Sequence, residues 1–222
     1  MSNILEILKK YSTPTLSDAL DSLDINGGLE SIKPQSNNCN ISGIAFTVKY
    51  REPTIYEKSL NKAADFIDNV PENNVIILAN NGRTDCTVWG GILTRVAQLK
   101  NIQGTIIDGM CRDIEEIKYS NYPIFTKGVY MKSGKGRTKL DSIQNPVKVG
   151  QTIINPGDYI RADSNGVIVI PKEKISVVLF RVKAIHETEN LIIDAIKNNM
   201  PLKEARKKFK YHKPWERAFS NE

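Results

Sequence analysis

The sequence predicts an α/β fold, and three observations carry that expectation. Residues 74–80 (NVIILAN) and 104–109 (GTIIDG) are short, continuous apolar runs, the signature of strands buried on both faces. A helical stretch follows each run: residues 91–100 (GILTRVAQLK) and 113–120 (DIEEIKYS). Gly-Gly and Arg-Asp stand at the two strand-to-helix turns. Strands alternating with helices in this way build a sheet with helices against it.

The remaining elements follow from local chemistry. Residues 2–10 read as a short helix. A second helix is expected from Thr15, with a capping residue and an acidic first turn. Residues 24–40 are rich in Asn, Gly, Ser and Pro and read as a loop. Residues 41–50 (ISGIAFTVKY) are β-branched enough for a strand. Residues 62–70 read as helical, and residues 122–128 (YPIFTKG) contain a short strand. Residues 131–150 are polar and Gly/Lys-rich and read as an exposed β loop; its GKGR lacks the rest of a phosphate-binding loop. Residues 156–171 place strands YIRA and VIVI between the turns PGD and DSNG. A long helix is expected from about Lys172 to Asn199.

Composition bounds the class. A chain of 222 residues supports one sizeable core, read here as a single domain over residues 1–200 and a basic helical tail over 201–222. Hydrophobic residues make up 40% and no apolar run reaches membrane-spanning length, so a cytoplasmic protein with no membrane partner is expected. The N-terminal stretch has no signal-peptide core. Three cysteines without CxxC spacing argue against a disulfide framework or a zinc site. Cys111 reads as a small residue in a turn rather than as an activated thiol. Two histidines leave little for a His-based metal centre. The net charge of +6 is concentrated in residues 203–213 (KEARKKFKYHK). Without aromatic stacking motifs that excess reads as a solvated helix face that also attracts anions, and nucleic acid is not an expected partner.

The chemistry concentrates in residues 89–117 (WGGILTRVAQLKNIQGTIIDGMCRDIEEI). Gly90 and Gly91 let a ligand approach the backbone, and the N–H groups of Ile92 and Leu93 lie at an uncapped helix start. Arg112 offers a planar fork for a carboxylate. Asp113 and Glu116 have capping-box spacing, which competes with a metal-directed reading. An anionic keto acid together with a divalent metal needs this set of partners.

These segments, with PIFTKG, PGDYIRADSNGVIVIP, ISGIAFTV and TLSDAL, resemble the RraA-like family over roughly residues 10–200. That family includes ribonuclease regulators and the 4-hydroxy-4-methyl-2-oxoglutarate / 4-carboxy-4-hydroxy-2-oxoadipate aldolases. Gly91, Arg112, Asp113 and Glu116 satisfy the aldolase signature, and Glu116 is the acid that the regulator branch lacks. Some aldolases carry Asp at the position of Gly91. The resemblance implies a three-layer β/β/α sandwich like a swivelling phosphohistidine domain, with N-terminal helices and a long C-terminal helix. It implies trimers or hexamers with sites between subunits, and a Mg²⁺- or Mn²⁺-dependent pyruvate aldolase with oxaloacetate decarboxylase side activity. Asp113 would bind the metal, with Glu116 in its outer shell. Gly90, Gly91, Ile92, Leu93 and Arg112 would bind the keto acid.

The aldolase branch also uses a glutamate on the long helix of a neighbouring subunit, for which Glu187 and Glu189 compete. Ile175, Val178, Val182, Ile185, Ile192 and Ile196 form an apolar stripe at helical spacing; Glu189 falls on it and joins Arg112 and Asp113 as an expected catalytic residue. Asp163 reads as turn chemistry, and Lys127, Arg83 and Arg137 as weaker anion contacts. Three alternatives remain open: a non-enzymatic regulator that binds a ribonuclease or other protein, a superfamily enzyme with another substrate, and a Schiff-base aldolase, for which no lysine sits at the centre of an apolar strand.

Overall fold

In a computed structural model that describes residues 2–55, 57 and 64–217, apolar alternation on two faces sets the architecture. The elements in chain order are α1 (Ser2–Lys9), α2 (Thr13–Asp21), β1 (Lys33–Pro34), β2 (Ile41–Arg51), β3 (Asn74–Thr87), α3 (Gly91–Leu99), β4 (Gly104–Cys111), α4 (Ile114–Ser120), β5 (Ile124–Val129), β6 (Lys139–Ile143), β7 (Val147–Val149), β8 (Thr152–Ile154), β9 (Tyr159–Asp163), β10 (Gly166–Ile170), α5 (Ile175–Lys197) and α6 (Leu202–Lys208). The main sheet runs β1-β5-β4-β3-β2-β9-β10, with β6 also on β2. Strands β2 to β5 are mutually parallel, and β9 and β10 are antiparallel.

The parallel strands are apolar throughout because both faces are covered. Ile76, Leu78 and Ile107 pack in one core with residues of α3 and α4. Val75, Ile77 and Ile106 pack in a second, with Val147 and Val149 of β7, Ile154 of β8 and Val167 and Val169 of β10. Ile168 and Ile170 alternate to the outside and meet Leu16 and Leu20 of α2 and Val178 and Val182 of α5. Helices, parallel strands and a second β layer thus form the expected β/β/α sandwich, with α1, α2 and α5 beyond it. Residues 27–35 nearly close the sheet into a barrel. Leu29 N–H donates to Val167 O and Val169 N–H to Gly27 O, while Gln35 N–H donates to Ile124 O beside β5. A Cβ on Gly27 would stand 2.3 Å from Val169 O, so this clasp requires glycine.

Several sequence expectations change. Helix α2 starts at Thr13, two residues early, because the Ser12 hydroxyl accepts from Thr15 N–H; its first turn holds no acid. The loop over 24–40 contains β1. Residues 65–69 form a 3-10 helix, and residues 62 and 63 lie outside the described residues. Strand β3 continues to Thr87 through register shifts beyond Ala79, which Asn81 and Gly82 accommodate with left-handed backbones. Residues 131–150 are not a wholly exposed loop: they supply β6 and β7, and Val147 and Val149 are core residues. Ile196 leaves the α5 stripe, 38% exposed near the helix end. Residues 202–216 lie against α5; Ala205 is buried and Arg181 stacks 3.8 Å from the Trp215 ring centroid. Among the described residues no helix is long and apolar enough to cross a membrane.

A buried arginine and a partly buried aspartate join the N-terminal helices to the sheet. The Arg161 guanidinium donates to the carbonyls of Leu8, Tyr11, Ile41 and Ala162. Asp163 receives Thr13 N–H at 2.8 Å, the Thr13 hydroxyl at 2.7 Å and Asn165 N–H at 2.8 Å. Burial pushes the Asp163 carboxyl up, but those hydrogen bonds outweigh it and the net pKa is lowered. Its contribution to stability is therefore present above the unfolded carboxylate value near ~4 and is lost as pH falls through the folded value. Asp163→Ala is expected to cost about 1–2 kcal/mol at pH 7, the scale of a lost helix cap. Urea melts at pH 7 and pH 3 check this: the gap between variant and parent should narrow at the lower pH.

Candidate active site

Strands β3 and β4 run parallel side by side, so the turns that follow them emerge at the same carboxyl edge of the sheet, where α/β folds place ligands. Arg112 N–H donates to Trp89 O at 3.1 Å and joins the two turns. The Trp89 indole is buried, donates to the Thr94 hydroxyl at 2.9 Å and stacks on Tyr122. These contacts fix where α3 begins.

Helix α3 has no side-chain cap of its own: Gly90 is its N-cap. The missing acceptor comes from the neighbouring turn, where Asp113 Oδ2 accepts Gly91 N–H at 2.8 Å. The expected capping box on α4 is therefore not formed. Asp113 is left-handed, with φ 59° and ψ 45°, and makes no cap bond to its own helix. Glu116, the other half of that box, pairs instead with Arg95 of α3, whose guanidinium holds the carboxyl below its ordinary pKa. A Cβ on Gly90 would lie 2.6 Å from Asp113 Oδ2 and 3.1 Å from Arg112 Nε, so the close approach of these side chains depends on glycine there.

Asp113 keeps a second oxygen, Oδ1, away from that bond, and its side chain is 45% exposed. Arg112 is 38% exposed, with Nε 3.7 Å from Asp113 Oδ2. The N–H groups of Ile92 and Leu93 have no acceptor within α3, because they belong to its first turn. These groups line one cavity of about 320 Å³ with Gly90, Gly91, Tyr50, Thr87, Trp89, Asp65, Ser133, Lys135 and Thr138.

The structure thus brings together Gly90, Gly91, Ile92, Leu93, Arg112 and Asp113. Glu116 lies just behind, its Cγ 3.2 Å from where a Gly91 Cβ would stand. Glu189 does not line this cavity within the chain. It is half-buried on α5, and burial, then the neighbouring Asp18, raises its pKa. Glu187 is exposed beside Lys183. Lys127 pairs with Asp108 and Arg83 with Asp85, while Arg137 donates to Ser133 O and Lys135 O. Cys111 is buried, its thiol pushed up to about 11 by that burial. Tyr50, Asp65, Ser133, Lys135 and Thr138 were not singled out from the sequence, since only the folded positions of their segments place them here.

The donor set tests which ion the site can take. Among the described residues no group of three or more His, Cys, Asp or Glu could form a protein cage for a metal. One half-exposed carboxylate instead fits a Mg²⁺-like ion, which keeps several waters and takes one or two carboxylates.

Fold and turn geometry coincide with comparisons to known proteins. A family model described as RraA-like, Aldolase/RraA, matches residues 13–169. This chain belongs to the RraA-like family. It is 43% identical over 215 residues to protein DlpA of Legionella pneumophila, covering 97% of this chain and 35% of that protein, so it spans about a third of that relative's length. It is 32% identical to a Halalkalibacterium halodurans protein named "Putative 4-hydroxy-4-methyl-2-oxoglutarate aldolase", over 85% of this chain and 86% of that one. The crystal structure of an uncharacterized protein from Pseudomonas syringae pv. tomato superposes with a TM-score of 0.86 at 40% identity and covers 94% of each chain.

Proposed function

We propose that the protein is a divalent-metal-dependent pyruvate aldolase that cleaves a 4-hydroxy-2-oxo acid, with oxaloacetate decarboxylation as a side activity. The observation that carries this reading is the convergence of Arg112, Asp113 and the first-turn N–H groups of α3 on one cavity. The aldolase name of the Halalkalibacterium halodurans relative supports it. A ribonuclease regulator would share the fold, but that role gives this constellation no task.

The Ile92 and Leu93 N–H groups and the Arg112 fork hold the substrate carboxylate, an arrangement helix starts and guanidinium groups both favour. Asp113, anchored through Oδ2 by Gly91 N–H, would hold Mg²⁺ or Mn²⁺, with Glu116 in its outer shell. When bound, that ion supplies Lewis-acid polarisation of the 2-oxo group. As the C3–C4 bond breaks, its electron pair passes into the pyruvate enolate, the 4-hydroxyl loses its proton and C4 becomes a carbonyl. Arg112 stabilises the developing negative charge. Protonation at C3 completes pyruvate. Oxaloacetate, losing CO₂ instead, gives the same enolate.

A water held by Glu189 of an adjacent subunit in a trimer or hexamer would take the 4-hydroxyl proton. The raised pKa of Glu189 moves it toward a general base's working range. A lactate dehydrogenase-coupled assay with oxaloacetate and 4-hydroxy-4-methyl-2-oxoglutarate, with and without Mg²⁺ or Mn²⁺, tests the proposal. Pyruvate should form only with metal and disappear on adding EDTA. Absence of pyruvate from both acids, or turnover that survives EDTA and is trapped by borohydride, sinks it.

A further inference from the structure

A buried hydroxyl behind the cavity ties its two carboxylate-binding parts together. Thr94 stands one turn inside α3, fully buried and off the cavity lining. Its hydroxyl donates to Gly90 O at 3.1 Å, beside the Thr94 N–H bond to the same carbonyl, also at 3.1 Å. The same oxygen accepts the Trp89 indole N–H at 2.9 Å, so its one donor and an acceptor position are both in use.

A threonine that bonds back to the carbonyl four residues earlier is common in helices and signifies little by itself. Here the partner of the hydroxyl links it to other elements. The Trp89 carbonyl accepts Arg112 N–H at 3.1 Å. The Trp89 indole stacks on Tyr122, with ring centroids 6.2 Å apart and planes 8° apart. The Tyr122 hydroxyl shares a hydrogen bond of 3.0 Å with Thr105, near the start of β4, the strand that ends at the Arg112 turn. Trp89, Thr94, Thr105 and Tyr122 are all buried. The indole is thus fixed against β4, and through Thr94 it fixes Gly90, where α3 begins. That start has little stiffness of its own, since two glycines form it and its cap comes from Asp113 of the next turn. Hydrogen bonds weaken steeply with misalignment. A carboxylate shared between the first-turn N–H groups and the Arg112 fork therefore needs the two held at one spacing.

We propose that Thr94 is a positioning residue: its hydroxyl, held by the Trp89 indole, sets the first turn of α3 at the distance from Arg112 that a keto acid carboxylate spans. This rests on the keto acid reading of the cavity and adds to it a residue that touches no substrate.

Calorimetry on the full chain with Mg²⁺ and pyruvate tests this apart from catalysis. Thr94→Val keeps the shape of the side chain, loses both hydroxyl bonds and leaves the indole N–H buried without an acceptor. Thr94→Ser keeps the hydroxyl and loses a buried methyl group. Both variants should melt below the parent. Only Thr94→Val should weaken pyruvate binding, by about tenfold, the scale of one misplaced hydrogen bond. Thr94→Ser should bind like the parent. If Thr94→Val does not fold, Trp89→Phe, which removes the same bond without stranding a donor, should show the weakening in its place. Parent-like affinity in the variant that lacks the bond, or a loss in Thr94→Ser that follows its lowered melting temperature, overturns the assignment. If the parent binds no pyruvate, the keto acid reading itself fails and this inference falls with it.

Discussion

Asp113→Asn is expected to lower kcat for pyruvate formation by at least ~10³-fold, the upper range for loss of a key electrostatic group. The fold should survive. An amide oxygen can still accept Gly91 N–H, the bond that Asp113 Oδ2 makes at 2.8 Å, and asparagine tolerates the left-handed backbone. What disappears is the negative charge that would hold the ion. The coupled assay at saturating Mg²⁺ reads the loss, and a urea melt should place stability within ~1 kcal/mol of the parent, the scale of one cap. Asp113→Ala separates the two roles: it should lose the activity and the cap of α3 together. Full turnover by the asparagine variant would remove the metal assignment.

Arg112→Lys is expected to reduce kcat/KM by about 10²-fold for every 2-oxo acid, because a point charge does not reproduce a two-pronged fork on a carboxylate. Arg112 is partly exposed, and its backbone N–H, which joins the two turns through Trp89 O, is untouched by the substitution. Thermal stability should therefore move little. Steady-state kinetics with oxaloacetate and a 4-hydroxy-2-oxo acid check the result. An effect confined to one substrate would place Arg112 on the variable half of the ligand.

Much of this site was legible before the fold was known. The apolar runs before residues 91 and 113 mark parallel strands, and parallel neighbours must deliver their following turns to the same edge. Gly90, Gly91, Ile92, Leu93, Arg112 and Asp113 could therefore be read together. The capping box could not be judged from spacing. Whether Asp113 caps its own helix depends on its backbone φ, and once that is left-handed the carboxylate serves α3 instead. Lys135 and Thr138 were out of reach for another reason. Their place in the cavity follows from pairing of the 132–134 segment with Thr87, a contact across 46 residues between the register-shifted end of β3 and an irregular stretch with no periodicity. Glu189 was singled out from its apolar stripe, and its half-buried position on α5 follows the same periodicity, but within the chain it stands apart from the cavity. The end of that stripe failed at Ile196, where the helix outruns the layer beneath it.

The positive φ of Asp113 carries a consequence for descent within the family. Among L-residues that backbone region is readily shared by few side chains, chiefly Asn and Asp, with Gly besides. Glutamate keeps the charge but not the conformational ease, so divergence at this position has few comfortable exits. If Asp113 holds the ion proposed above, a lineage that dropped that role yet kept the turn would move most easily to Asn or Gly, and one that kept it would stay with the shorter acid.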